Sequence, residues 1–456
     1  MKQLLAYCLS IILCVSFTGC MENYLDLYPE DKITSASFPE NESDIKLLLN
    51  GVYAQLREKE VYNQGLFGFG ITDGATPNAF NWGTDEVFNK LGAGRLSSSD
   101  GGVVTYRWKR CYEIISRANY LLACMDLVDL SEEAKAKYSG ETHFLRGLAY
   151  SVLAETYGGV PIILTNISTE EARSLKRASL EETWQQALDD YEVAITNLGV
   201  DAPEPGRATK GAALGMKMRA YLYQGKYKEV LSCVEQIDAL KKYGLFHSYE
   251  GLFDPANENN KEVLFDIQYI EGENSQGSYI DQYCGTGTGS WTRGSRYVPT
   301  DDLVAAYETI DGSPVDPENP YENRDPRLGF TAVLPGSYFL GYRFPNYLYP
   351  GGAFNHAGNR LKHLSTRKYR IQDESKLPPS GQSYINDIIL RYADVLLSKA
   401  EAIIETNGSV ADAIAILNRI RTERDDVKIS LLPTSMSREE AREKVRHERR
   451  IELALE

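Results

Sequence analysis

Two stretches of the sequence combine aromatic rings with hydrogen-bonding side chains in segments that carry no helical period. The first holds Asp73, Asn78, Phe80, Asn81 and Trp82; the second holds Tyr279, Tyr283, Trp291, Arg293 and Tyr297 around the glycine-rich run 285–289. The chemistry available to such sets is non-covalent. A flat ring with a polar edge stacks on an apolar C–H face, such as that of a pyranose, while nearby amides, carboxylates and guanidinium groups bond the surrounding hydroxyls. The candidate ligand contacts are Asp73, Asn81, Trp82, Tyr283, Trp291, Arg293 and Tyr297. Trp82 and Trp291 lead this set, because an exposed Trp in a polar loop otherwise lacks a reason. A third aromatic stretch, Tyr338, Phe339, Tyr342, Phe344, Tyr347 and Tyr349, reads as a loop packed on helices, with a binding rim as the alternative. Trp108 and Trp184 fall on helical stripes and are read as core.

Covalent catalysis finds no comparable motif. The sequence has no H-E-x-x-H, no Walker A loop and no G-x-S-x-G, and Ser290 and Thr292 stand where a G-x-G-x-x-G would need glycine. Its 5 histidines are scattered. No catalytic residue, metal ligand or cofactor is assigned, although a glycosidase carboxylate pair is defined by a spacing in space that 64 acidic residues conceal. Asp301 and Asp302 read as a helix N-terminus. The acid-rich loop 311–325 lacks EF-hand spacing and reads as a solvated turn cluster.

With 49 Lys and Arg against 64 Asp and Glu, the 456-residue chain has a net charge of -15 and no basic stripe outside 438–450. That balance disfavours nucleic acid, whose phosphates are bound by clustered cations. A mean hydropathy of -0.36 argues against a polytopic membrane protein, and 43% hydrophobic with 11% aromatic residues excludes a disordered chain.

The elements that must position these loops are mainly helical. Apolar or small residues at 108, 111, 112, 115, 118, 122 and 125, and again at 145, 148, 149 and 152, mark two packed helices. Ser179 with Glu182 is a capping box that opens a third, running to about Leu198. Residues 210–224 and 226–240 flank Gly225 as a tetratricopeptide-like helix pair, with Ala220, Gly225 and Tyr227 in matching places. Near the C-terminus Ile389, Tyr392, Ala393, Leu396, Leu397, Ala400, Ile403 and Ile404 trace one helical face, broken at Asn407-Gly408; a facing stripe follows from Val410 to Ile420 with Ser409 as N-cap. Residues 72–102 and 270–379 are irregular, and 263–269 reads as a short strand. The fold class is mainly α, a tetratricopeptide-like helix-pair scaffold with a large loop-rich portion.

The first twenty residues read as a processing signal: Lys2, an apolar run over 4–15 too short to span a bilayer, then Phe17-Thr18-Gly19-Cys20, which resembles a bacterial lipobox. Cys20 is then the lipidated residue, attached to the membrane by acyl chains. Of the remaining thiols, Cys111 lies on an apolar stripe, and Cys111, Cys124, Cys233 and Cys284 are read as buried small hydrophobes.

A series of short motifs runs from end to end: Tyr24-Leu25-Asp26 with Pro29, Leu49-Asn50-Gly51-Val52-Tyr53, Arg117-Ala118-Asn119, Phe144-Leu145-Arg146, Tyr157-Gly158-Gly159-Val160-Pro161 and Lys210-Gly211-Ala212-Ala213. Asn323-Arg324-Asp325-Pro326-Arg327, Leu390-Arg391-Tyr392-Ala393-Asp394, Lys399-Ala400-Glu401-Ala402 and Glu448-Arg449-Arg450-Ile451-Glu452-Leu453 complete it. In this order they resemble the SusD/RagB family of glycan-binding outer-membrane lipoproteins of Bacteroidetes. The resemblance implies four regions: a signal peptide over 1–19, tetratricopeptide-like helix pairs over 20–240, an irregular binding subdomain over 241–385, and a C-terminal helix pair with the start of a final segment over 386–456. It implies an oligosaccharide or polysaccharide ligand, a place at the cell surface on the outer membrane, and a SusC-type TonB-dependent barrel as partner. A peptide or glycoprotein ligand, a carbohydrate-active enzyme and a structural adaptor are the alternatives. Family members continue past the Glu448 to Leu453 motif with a Gly-x-Arg segment that this sequence lacks. The last helix is therefore expected to run uncapped to Glu456, as in an incomplete reading frame.

Overall fold

The computed structural model describes residues 38–57, 73–81, 90–97, 99–271, 277–278, 297–344, 364–371, 373–378 and 382–456. Its helices begin where a short polar side chain can take up the unpaired amides of the first turn. Asn41 caps α1 (Glu42–Tyr53), Ser131 caps α3 (Glu132–Tyr157) and Thr209 caps α6 (Lys210–Tyr223), while α2 (Val103–Cys124) follows Gly102. Reciprocal Ser–Glu boxes open α4 (Thr169–Ser174), α5 (Leu180–Asn197) and α12 (Arg438–Glu452). Gly225, at φ 67°, makes the turn from α6 into α7 (Tyr227–Ala239). Thr300 opens α8 (Asp301–Ala306) and Asp325 opens α9 (Pro326–Thr331). The C-terminal pair, α10 (Tyr392–Glu405) and α11 (Val410–Thr422, capped by Ser409), completes the set.

Antiparallel helix neighbours bury the stripes seen in the sequence. Helix α3 packs on α2 and α5, α6 on α5 and α7, and α10 on α7, α11 and α12. One hydrophobic core runs through them, from Leu49 and Cys111 to Leu417 and Val445. Cys111, Cys124 and Cys233 are buried free thiols within it, whereas Cys284 lies outside the described residues. Trp184 is buried, and Trp108 sits edge-on to Tyr157 at 5.2 Å. Among the described residues no helix is long and apolar enough to cross a membrane.

The strands are short and come in antiparallel pairs: β1 (Ala79–Asn81) with β3 (Tyr297–Pro299), β2 (Val263–Ile267) with β8 (Asp387–Arg391), β4 (Ala332–Val333) with β7 (Ser365–Thr366), and β5 (Tyr338–Phe339) with β6 (Tyr342–Arg343). Ile389, expected on the first turn of a helix, belongs to β8. Its apolar spacing continues into α10, but its backbone pairs with β2, and the helix starts only after the extended Arg391. On the facing side Gly215 of α6 lets this ribbon approach; a Cβ there would lie 2.3 Å from Leu390 Cδ2.

A second core, formed by Tyr249, Phe253, Tyr307, Leu328, Tyr369, Ile451, Ala454 and Leu455, joins the irregular region to the C-terminal segment. The last helix does not run to Glu456 as expected. It stops at Glu452, Leu453 serves as its C-cap, and Leu455 turns left-handed at φ 62° so that both leucyl and alanyl side chains reach this core.

Between the two cores lies a buried ion network. Arg327 binds Asp325 and Glu448, each at 2.7 Å, and Glu452 at 2.8 Å. Arg391 binds Glu262, Glu452 and Glu456 at 2.9, 2.8 and 2.6 Å, and Arg424 binds Glu262 and Glu452 at 2.8 Å. Arg421 links Glu448 to Glu308. Burial pushes the Glu452 carboxyl up, but Arg424, Arg391 and Arg327 outweigh it and hold the group ionised, well below the usual carboxylate range. Taking ions out of water is repaid only when every partner is present. Glu452→Gln is therefore expected to cost about 3–5 kcal/mol of stability, read from denaturant unfolding; a loss within experimental error would show that the network carries no stability.

The β2–β8 ribbon holds carboxyls of the opposite kind. Burial, and then the neighbouring Asp266 and Glu456, push Asp387 up to about 7; burial against the bonds from Gln268 and Asn386 leaves Asp266 at about 6. Burial likewise takes Glu258 to about 7. Groups whose folded pKa is raised favour folding at low pH and lose that contribution as pH rises through the folded value. Stability is thus expected to fall between about pH 5 and pH 8, and Asp387→Asn to flatten that decline, measured as the unfolding midpoint at both pH values.

Candidate functional site

The β1–β3 ladder brings together the two aromatic–polar stretches picked out in the sequence. Its register pairs Ala79 with Pro299, Phe80 with Val298 and Asn81 with Tyr297. Phe80 lies across from Val298 on one face of the ribbon and Ala79 across from Pro299 on the other; Ala79 and Val298 are buried, and Phe80 is 45% exposed. The chain of the first stretch leaves this ribbon at Trp82, directly after Asn81, and that of the second enters it at Tyr297. Trp82, Tyr283, Trp291 and Arg293 themselves lie outside the described residues, as does Cys20; Asn81 and Tyr297 are described as backbone only.

Asp73 stands beneath the ribbon, in a short 3-10 turn (Asp73–Ala75) that leads into β1. One carboxylate oxygen accepts from Asn78 Nδ2 at 3.1 Å and from Thr76 Oγ1 at 3.3 Å; the other accepts from the Leu455 backbone N–H at 2.6 Å. Burial raises its pKa against the lowering effect of these bonds. Asp73 thus has both oxygens engaged inside the protein. Asn78 completes the attachment: its Oδ1 accepts from Arg450 Nε at 2.7 Å, while Thr300 N–H donates to its carbonyl at 3.0 Å. The ribbon is therefore pinned from below by α12 and the residues that follow it.

Most of the sequence motifs turn out to hold helices and loops in place. Arg146 forks onto Asp190 and donates to Asn119 Oδ1, while Asn119 Nδ2 donates to the Ile163 and Thr165 carbonyls. Asp394 accepts from Arg219 at 2.7 Å and Arg449 at 2.5 Å, which outweigh burial and keep it ionised. Arg324 donates to the carbonyls of Pro320, Val304 and Tyr307, each at 2.6 Å. In the acid-rich loop, Asp311 and Asp316 close turns on the Ser313 and Glu318 amides. Within the third aromatic stretch Phe339 and Phe344 are buried, as a packed loop requires, but Tyr338 is 66% exposed.

A paired-helix scaffold that carries an irregular, ribbon-pinned loop region is the architecture seen in a set of solved bacterial proteins. Residues 261–456 match the SusD family model, and residues 23–222 match a model described as starch-binding associating with outer membrane. The chain belongs to the SusD/RagB family. A SusD-like protein, P25, of Formosa agariphila is 25% identical over 99% of this chain and 87% of its own length. A SusD-like carbohydrate binding protein from Bacteroides fragilis superposes with a TM-score of 0.79 at 27% identity, covering 91% of this chain and 84% of that one. A laminarin binding SusD-like protein shares the fold at a TM-score of 0.70 and 20% identity, over 91% and 89% of the two chains.

If Asn78 ties the ribbon to α12, Asn78→Ala should release it locally. The expected result is faster amide exchange at 79–81 and 297–299 with a global stability loss of about 1 kcal/mol. Unchanged exchange in those segments would discount the tie.

Proposed function

We propose that the chain is a non-catalytic, lipid-anchored protein of the outer-membrane surface that captures oligosaccharide or polysaccharide and passes it to a SusC-type TonB-dependent barrel. The observation that carries this reading is the β1–β3 register, which pairs the end of one aromatic–polar stretch, Ala79–Asn81, with the end of the other, Tyr297–Pro299, in a chain of the SusD/RagB family. Relatives named for carbohydrate and laminarin binding support the ligand class. In this reading Trp82 and Trp291 stack on pyranose faces. Asn81, Tyr283, Arg293 and Tyr297 bond the hydroxyls, and Asp73 keeps the ribbon that bears them in register. Cys20 carries the acyl chains.

The geometry suits capture followed by release. Stacking and neutral hydrogen bonds exchange readily with water, so a sugar is held by several modest contacts and none forms a covalent bond. The ribbon is held from below by Asn78 on Arg450, Asp73 on the Leu455 amide and Ala79 in the second core.

The test uses protein from Met21 onward in affinity gels against a polysaccharide panel, with reducing-sugar release assayed in parallel. Retention without release is expected. Trp82→Ala and Trp291→Ala should each weaken retention about fivefold or more at unchanged far-UV circular dichroism. Unaltered retention in both variants would remove these two residues from the site. Sugar release would make the protein an enzyme, and retention of peptides alone would move the ligand to another class.

A further inference from the structure

A cleft of about 380 Å3 opens between the loop that follows α7, helix α9, the β5–β6 hairpin and the segment after β7. That volume is within the roughly 300–1,000 Å3 of small-molecule sites. The sequence reads the neighbouring aromatic stretch as a loop packed on helices, with a binding rim as the alternative; Phe339 and Phe344 are buried, but in a small core with Val333, Leu340 and Leu377. Tyr338 departs from it: on a two-residue strand it turns outward, 66% exposed, at the edge of the cleft. Phe330 of α9 contributes a second ring to the lining.

The polar wall is already set. Arg367 donates to the Gly329 carbonyl at 3.1 Å and pairs with Glu250, and its guanidinium lies over the buried Phe339 ring at 5.5 Å. Fixed in this way, it loses little freedom when a ligand arrives. Glu250 remains 40% exposed, leaving it accessible as a hydrogen-bond acceptor. Asp254 also lines the cleft and spends Oδ1 on the Ala256 amide at 2.8 Å. Of the other charged groups on the lining, Lys368 and Arg370 are buried, Lys368 being engaged by Tyr249, the Ala454 carbonyl and Glu456; the accessible wall is the Arg367–Glu250 pair with Asp254, which offers a donor and acceptors and does not call for an anionic ligand.

We infer that this cleft is a second saccharide subsite, taking one pyranose unit of a neutral glycan, with Tyr338 as stacking platform and Arg367 and Glu250 as hydroxyl partners. The inference rests on the glycan-binding reading above but uses different residues. The two places are joined through the fold: β3 packs beside β7, and Arg367 directly follows β7. A polymer engaging both is held by the effective concentration of its own second segment, which strengthens retention without any further contact.

Hydrogen–deuterium exchange of the full-length chain in a sugar-free detergent separates the two sites, with maltohexaose, cellohexaose, laminarihexaose and mannohexaose as probes. The expected result is protection of 248–254 and 330–339 in addition to 79–82 and 283–297. Tyr338→Ala should abolish only the former and weaken the oligosaccharide about fivefold or more; Tyr338→Phe, which keeps the ring, should retain it. Protection at 79–82 and 283–297 alone overturns the cleft and leaves the proposed function standing. Protection nowhere, with any probe, overturns both. Protection of the cleft that survives Tyr338→Ala overturns the stacking role and with it the subsite as stated.

Discussion

The network of Arg327, Arg391 and Arg424 with Glu262, Glu448, Glu452 and Glu456 is the constraint on which the rest of the structure depends. Its members come from the approach to β2, the start of α9, the end of β8, the segment after α11 and the end of α12. Each ion is buried, so each is tolerable only while its partners stand in place. A charge network of this kind restricts the arrangement of five chain segments more than an apolar contact would, although Arg424 Nε and Nη1 are buried in it without a hydrogen-bond partner. It also explains why the second core can form at all. Lys368 reaches the Ala454 carbonyl and Glu456 from within it, and Tyr249 donates to the Glu452 carbonyl.

Seen from that network, most of the sequence motifs serve the frame. Asn323 to Arg327, Leu390 to Asp394 and Glu448 to Leu453 supply the charges that lock the scaffold, and Asn119, Arg146 and Asp190 do the same between helices. Asp73 and Asn78 tie the β1–β3 ribbon to this frame, and the Arg367–Glu250 pair ties the cleft wall to it. A frame locked in this way tolerates sequence change in the segments it carries while keeping its own shape.

Helices were legible in the sequence because their signals are local. Ser179 and Glu182, or Ser437 and Glu440, sit three residues apart and need only each other, and the apolar stripes of α2, α3, α6 and α10 repeat within a few turns. Signals failed where pairing partners are remote. Ile389 continued a helical spacing while its backbone belonged to β2. The bend at Leu455 is set by a core it alone does not encode. The candidate loops were recognisable by composition, yet their meeting depends on strands of three residues more than two hundred positions apart, too short to stand out by alternation. Tyr338 was placed with its buried neighbours because exposure on a two-residue strand leaves no period to read. The engagement of Asp73 by a backbone amide is likewise invisible, since any residue but proline at 455 supplies that donor.

The bond between Asp73 and the Leu455 amide closes a span of 382 residues. Closing so long a loop is entropically the latest step a chain takes, after local helix pairs have formed. It also orders events during biosynthesis, because domains and helix pairs fold as they emerge at about 5–20 residues per second. The helical scaffold can assemble early and shelter its thiols and apolar stripes. The β1–β3 ribbon, like the ion network, waits until α12 and the residues after it are delivered and docked, so the N-terminal helix pairs take shape before the ribbon is pinned.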